Sequence, residues 1–172
     1  LLMGENGAGK STMMKIVAGL HQADGGEMIW RGQPARFNRP VEASREGIAM
    51  VHQESLLAPH LSVAENIFLG REHSSGVDRL SPAGKQMVEI CRAVQHGSSL
   101  LIFDEPTSSL SESETREVFR VVSQLKERGM GVIYITHRLE ELRTVGDAVT
   151  VLRDGETVHT GQLQNLTLDQ LI

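Results

Sequence analysis

This sequence has one cysteine, no apolar run of bilayer-spanning length and no excess of basic charge, and each lack closes a class of function. A lone cysteine, Cys91, excludes an internal disulfide framework. Its place in an apolar helical stretch predicts a small buried residue and not a reactive thiol. No segment approaches the roughly 18 consecutive apolar residues of a transmembrane helix, so any membrane role is expected to pass through a partner. No signal-peptide pattern precedes the first motif, and the expected compartment is the cytosol. Lysine and arginine number 17 against 22 acidic residues, for a net charge of −5 and a pI near 5.8, and they are dispersed. That balance argues against a nucleic-acid surface. Coiled-coil heptads, internal repeats and low-complexity tracts are absent too. What remains is 172 residues, 40% of them hydrophobic, enough to bury a core in one domain.

The stretch LLMGENGAGKST carries the strongest signal. Glycine loses more conformational freedom on folding than any other residue, so three glycines beside a strand need a reason. Gly4, Gly9, Lys10 and Ser11 satisfy the phosphate-binding spacing G-x-x-x-x-G-K-[ST]. Glycine lets backbone N–H groups point inward, and the following helix offers unpaired N–H groups at its positive end, together an anion cradle. Lys10 would reach the β- and γ-phosphates, and the small, hard Ser11 hydroxyl suits Mg²⁺. The motif sits between an apolar strand, Leu1 to Met3, and an amphipathic helix with Met13, Met14, Ile16 and Val17 that ends at Gly19.

Further on, EMIWR and ARF read as two short strands with Trp30 as packing, and a helix over Val41 to Glu46 stops at Gly47 before the strand IAMVHQ. Ser62 and Glu65 are spaced as a capping box for a short helix; Arg71 to Arg79 reads as loop, and PAGKQMVEICRAV as helix with Pro82 in its first turn. SLLIFDEPT is a uniformly apolar strand, the mark of a parallel sheet covered on both faces. A helix from Glu112 to Arg128 ending at Gly129, the buried strand GVIYIT, a hairpin turning at Asp154-Gly155 and a final helical scrap LTLDQLI complete the chain. Strands alternating with helices describe a doubly wound α/β sheet, whose ligands sit at the strands' carboxyl ends.

The polar points Lys10 and Ser11, Gln53, Asp104 with Glu105, and His137 all fall at or just past strand ends. Asp104 could hold Mg²⁺ opposite Ser11, Glu105 could polarise a water for in-line attack, Gln53 could sense metal and water, and His137 could meet the γ-phosphate from the far side. The other histidines show no ligand spacing, so no zinc site is assigned.

GENGAGKST, VHQE, LSPAGKQMVEI, LLIFDEPTSSLS, IYITHRLEEL and VTVLRDGETVHTG together resemble the nucleotide-binding domain of ATP-binding cassette (ABC) transporters. RPVEASREGIAMVHQE followed by HLSVAENIFLGRE is similar to the first cassette of ATPase subunits from bacterial importers of the ribose, galactose and xylose type. The resemblance covers nearly the whole chain. It implies an α/β P-loop NTPase over residues 1–172, with a mostly parallel sheet flanked by helices, a small antiparallel β portion, and a helical subdomain abbreviated or missing around 70–81. Carried over by residue, Gly4, Glu5, Asn6, Gly7, Ala8, Gly9, Lys10, Ser11 and Thr12 become the Walker A loop. Gln53 becomes the Q-loop, Leu80 to Gln86 the signature with Ser81 facing nucleotide, and Asp104 and Glu105 the Walker B pair. Ser108 to Ser111 become the D-loop and His137 the switch histidine. The metal set is then Ser11, Gln53 and Asp104, the catalytic set Glu105, His137 and Gln53, and the cofactors ATP and Mg²⁺. The implied function is ATP hydrolysis energising a sugar importer, cytoplasmic and peripheral on the inner face of the membrane. The implied partners are transmembrane permease subunits, a periplasmic sugar-binding protein and a second cassette, with no nucleic acid.

The chain departs from the family pattern at four points. Ala83 stands where the signature carries glycine, beside Pro82; Ser111 replaces the D-loop aspartate; no upstream aromatic precedes Leu1; and Gln53 lies only 28 positions before Ser81. Ala83, Ser111 and the missing subdomain motivate the alternative of a nucleotide-binding regulatory or structural cassette with little or no hydrolysis.

Overall fold

The computed structural model describes residues 1–52, 57, 58, 63, 66, 80–95 and 97–165. Strand β1 (Leu2–Met3) is short and wholly apolar because it runs through the middle of the sheet. It pairs in parallel with β6 (Gly131–Thr136) on one side and β7 (Ala148–Arg153) on the other. The six-stranded order is β4 (Ile48–Val51), β5 (Leu100–Asp104), β6, β1, β7 and β8 (Glu156–Gln162). All neighbours are parallel except the β7–β8 hairpin. That hairpin turns at Asp154 (φ 49°) and Gly155 (φ 82°), two successive left-handed residues that match the strands' twist, as expected from the Asp-Gly pair.

Helices cover both faces, so the strands are apolar on both sides. On one face α1 (Lys10–Val17) and α2 (Pro40–Arg45) bring Met14, Ala18 and Ala43 onto Ile48, Ile102 and Ile135. On the other, α3 (Pro82–Gln95) and α4 (Glu112–Glu127) bring Ile90, Ala93, Val118, Val122 and Leu125 onto Leu101, Phe103 and Tyr134. The alternation of Leu101 and Phe103 against Ile102 is the two-residue period of a strand between two cores. α5 (Leu139–Val145) places Leu142 against Met3, Val149 and Val151.

Element ends follow from local chemistry. α1 closes in a Schellman motif, with Leu20 N–H donating to Lys15 C=O at 2.8 Å and Gly19 N–H to Ile16 C=O at 3.0 Å. Gly19 is left-handed (φ 71°), and a Cβ there would lie 2.6 Å from the Arg39 carbonyl oxygen. α4 opens with a capping box in which Ser111 accepts from Glu114 N–H and Glu114 answers the Ser111 N–H.

Three expectations need correction. The second strand of the small antiparallel pair is Gln33–Ala35, not Ala35 to Phe37; β2 (Met28–Trp30) reaches it through a tight turn at Arg31 (φ 50°) and Gly32 (φ 78°). That turn sets the register and leaves Phe37 to the core. Cys91 is exposed, because α3 buries its neighbours Ile90 and Ala93 and turns position 91 outward. Third, the stretch between GVIYIT and the closing hairpin, to which the sequence pattern assigns no helix, forms α5 directly after Arg138. Trp30 does pack on a core, its indole N–H donating to Glu46 C=O at 3.2 Å. Gln53, the Ser62–Glu65 capping box, the Arg71–Arg79 loop and the LTLDQLI tail lie outside the described residues.

Candidate active site

The glycine-rich loop leaves β1 at Gly4, where the backbone passes so close to β7 that a Cβ would sit 2.2 Å from the Leu152 carbonyl oxygen. Gly7 and Gly9 are left-handed at φ 86° and 91°, and Gly9 caps α1 without a side chain. Ala8 closes the loop by donating its N–H to Glu5 C=O at 3.2 Å and receives Gly155 N–H on its own carbonyl at 3.2 Å, which ties the loop to the β7–β8 hairpin. The first intrahelical bond of α1 runs from Met13 N–H to Gly9 C=O at 2.9 Å. The amides of Lys10, Ser11 and Thr12 precede it and stand at the positive helix end.

Lys10 is only 5% exposed. Its ammonium donates to Gly4 C=O at 2.7 Å and Glu5 C=O at 2.9 Å, which braces the loop with two of three donors and leaves one for an anion. The Ser11 hydroxyl donates to Asp104 Oδ1 at 2.7 Å. Asp104 ends β5 and is 7% exposed. Two hard oxygen ligands from different elements thus lie side by side next to the cradle, a donor set that fits Mg²⁺.

Glu105 adopts φ 47°, a left-handed conformation that costs a non-glycine residue of order 1–3 kcal/mol. Its N–H donates to Ile135 C=O at 3.2 Å, and the twist carries its carboxylate towards the end of β6. There Glu105 Oε1 lies 3.2 Å from His137 Nδ1, with side-chain exposures of 17% and 43%. A backbone outlier thus aims one carboxylate at one imidazole at the open edge of the site. Next to it, burial holds the His52 imidazole below its usual pKa, with the nearby Asp104 charge opposing and Lys15 assisting.

The structure therefore brings together Gly4 through Thr12, Asp104, Glu105 and His137. Ser81 is elsewhere among the described residues: its hydroxyl accepts from Gly84 N–H at 3.2 Å, capping α3, and it stands near Glu114. Hydrogen bonds from Ser111 first, and then from Ser81, hold the Glu114 carboxyl below its usual range. The signature serine thus lies near the start of α4 and is not bonded to its own P-loop. Sequence reasoning overlooked the Ser111–Glu114 box, although S-x-x-E before a helix was there to be read. It also overlooked Glu141, a buried carboxylate in α5, for which the only signal was an acid among Leu139, Leu142 and Val145.

A parallel sheet covered on both faces, a glycine cradle at its central strand and a Ser–Asp oxygen pair beside it define an α/β P-loop NTPase domain. The chain belongs to the ABC transporter family, whose sequence pattern matches residues 1–108. Curated relatives named ribose/galactose/methyl galactoside import ATP-binding protein match nearly all of it. Those of Pseudomonas savastanoi pv. phaseolicola and Agrobacterium fabrum are each 42% identical over 99% of this chain, covering 38% and 39% of the relative. That of Burkholderia cenocepacia is 43% identical over 98% of this chain and 38% of its own length. The chain thus spans about two fifths of the length of these relatives. Among solved structures, an ATP-binding cassette of an ABC transporter superimposes with a TM-score of 0.81 at 21% identity, over 94% of this chain and 79% of that one. A dimeric cassette in a post-hydrolysis state, bound to ADP and Pi, gives 0.78 at 24% identity, over 96% and 85%. At these identities the two structures establish the fold.

Proposed function

We propose that this domain binds and hydrolyses ATP as the cassette of a sugar importer, peripheral on the cytoplasmic face of the membrane. The observation that carries the reading is the 2.7 Å approach of Ser11 Oγ to Asp104 Oδ1 beside the buried Lys10 ammonium. Phosphate, cation and ammonium sites converge there on the end of one sheet. The names of the relatives support the transport context.

In this reading the amides of Lys10, Ser11 and Thr12 and the Lys10 ammonium orient the β- and γ-phosphates. Ser11 and Asp104 would hold Mg²⁺, which when bound supplies charge neutralisation at phosphate oxygens; Gln53, expected to join them, lies outside the described residues. Glu105 takes the proton of the attacking water on its carboxylate. His137 Nδ1, 3.2 Å from Glu105 Oε1, fixes that oxygen and leaves the second ring nitrogen for the γ-phosphate. Ser81, remote from its own P-loop, would serve a second cassette, whose P-loop it faces in a head-to-tail dimer. Transmembrane permease subunits and a periplasmic sugar-binding protein complete the proposed assembly. The alignment with the relatives runs over 200 positions against 172 residues here, which supports an abbreviated helical subdomain around 70–81.

Calorimetric titration with Mg-ATP tests the binding step: absence of heat at millimolar ligand overturns the reading. Glu105→Gln should cut phosphate release by about 10²–10⁴-fold, the usual worth of a general base, with nucleotide binding retained. Unchanged turnover removes Glu105 from that role. Tight ATP binding without phosphate release at any protein concentration supports the non-hydrolysing alternative, which Ala83 and Ser111 favour.

A further inference from the structure

One buried carboxylate takes no part in the mechanism above. Glu141, in the first turn of α5, is 2% exposed and accepts hydrogen bonds from three hydroxyls. Thr107 Oγ1 donates to its Oε1 at 2.6 Å, Thr136 Oγ1 to its Oε2 at 2.7 Å, and the Tyr134 phenol to Oε2 at 3.3 Å. Arg138 Nη1 stands 3.6 Å from Oε1. A buried carboxylate with this many donors is fully satisfied, and replacing one of its oxygens by an amide nitrogen leaves the hydroxyl or hydroxyls on that oxygen without their acceptor.

The placement of the donors matters more than their number. Thr107 follows the strained Glu105 by two residues, on the turn leaving β5. Thr136 ends β6 immediately before His137, and its hydroxyl also accepts Arg138 N–H at 3.0 Å, immediately after His137. One carboxylate thus grips the turn that aims Glu105 and both backbone neighbours of His137. β5 and β6 are in register as far as Asp104 and Ile135; past that point the Glu105 N–H bond to Ile135 C=O at 3.2 Å continues the backbone pairing, and side chains supply the rest of the hold between the two loops.

We propose that Glu141 is a positioning residue that holds Glu105 and His137 at their 3.2 Å separation by joining Thr107 to Thr136. Without it the Glu105 turn and the His137 loop keep the backbone bond from Glu105 to Ile135 but lose the side-chain join, and the carboxylate is less firmly aimed. A carboxylate that merely fills its pocket would leave the Glu105–His137 contact intact when replaced by its isosteric amide. The kinetic consequence rests on the hydrolytic reading; the geometric one does not.

The test is a cycle of Glu105→Gln and Glu141→Gln in the full chain, read first by the imidazole Cε1–H resonance of His137, assigned with His137→Gln. Glu105→Gln should move this resonance in the parent and move it by less than about half as much in the Glu141→Gln background, since coupled neighbours are non-additive. An equal displacement in both backgrounds overturns the proposal. In turnover, Glu141→Gln should lower kcat about tenfold or more with KM for Mg-ATP within about twofold, the pattern of a lost transition-state interaction. Retained kcat in an active parent overturns the proposal as well. A parent without turnover instead sinks the hydrolytic reading, and the resonance comparison still decides this one. If Glu141→Gln fails to melt cooperatively, Thr107→Val, which removes a single hydroxyl from the join, is read in the same way.

Discussion

The two outer turns of the glycine-rich loop offer a graded test, because Gly4 and Gly7 both have positive φ but only one faces an obstacle. At Gly7 (φ 86°) a Cβ meets nothing within 4 Å, whereas at Gly4 (φ 154°) it meets the Leu152 carbonyl oxygen at 2.2 Å. Gly7→Ala should therefore cost only the backbone term, about 1–2 kcal/mol for an L-residue in a left-handed conformation. Gly4→Ala adds to a similar term an overlap that only backbone movement can relieve, about 1–3 kcal/mol. The expected losses are about 1–2 kcal/mol for Gly7→Ala and about 2–5 kcal/mol for Gly4→Ala. For a domain of this size the second corresponds to a melting shift of roughly 4–20 °C. Urea unfolding of the parent and both variants measures the difference, and Mg-ATP titration reports whether the cradle survives. Equal destabilisation by the two alanines would refute the close-approach argument and leave only conformational freedom to explain Gly4.

Two further predictions follow from local chemistry. Ser111→Ala removes the cap of α4 and should cost about 1 kcal/mol, read by urea unfolding; a loss below a few tenths would mean the capping box contributes nothing in solution. Burial depresses the His52 pKa in the folded state, so between that value and the unfolded value near 6.5 the unfolded chain binds a proton that the folded chain does not. Stability should then rise with pH through that window, fall as the pH is lowered through it, and gain no further slope from His52 below the folded value. His52→Gln should flatten the change on the acid side of about pH 6.5 relative to the parent, and an unaltered slope would assign the effect to other groups.

Much of the fold could be read from local pattern. The apolar strands SLLIFDEPT and GVIYIT, the Asp154-Gly155 turn and the Gly19 and Gly47 stops each follow from periodicity or from a left-handed position that favours glycine. Nearby resolution was poorer: the tight turn at Arg31-Gly32 moved the second small strand by two residues, and one outward rotation of α3 exposed Cys91. Of the candidate site, the P-loop spacing and the acidic pair at the end of β5 were legible because their chemistry is carried by neighbours in sequence.

What the sequence by itself determined is the set of reactive groups and the places where strands must end. The tertiary structure alone decided which of them meet. Ser11 and Asp104 are 93 residues apart and bond only because β1 and β5 flank β6 in the same parallel sheet. The left-handed turn at Glu105 left no signature in the sequence and the buried carboxylate of Glu141 only an acid among apolar neighbours, since a strained φ is imposed by surrounding contacts, and a satisfied acid in a core is recognised by the hydroxyls that reach it. Local residue choice fixes conformation over a few positions; the pairing of distant side chains is set by sheet order, which no short stretch encodes.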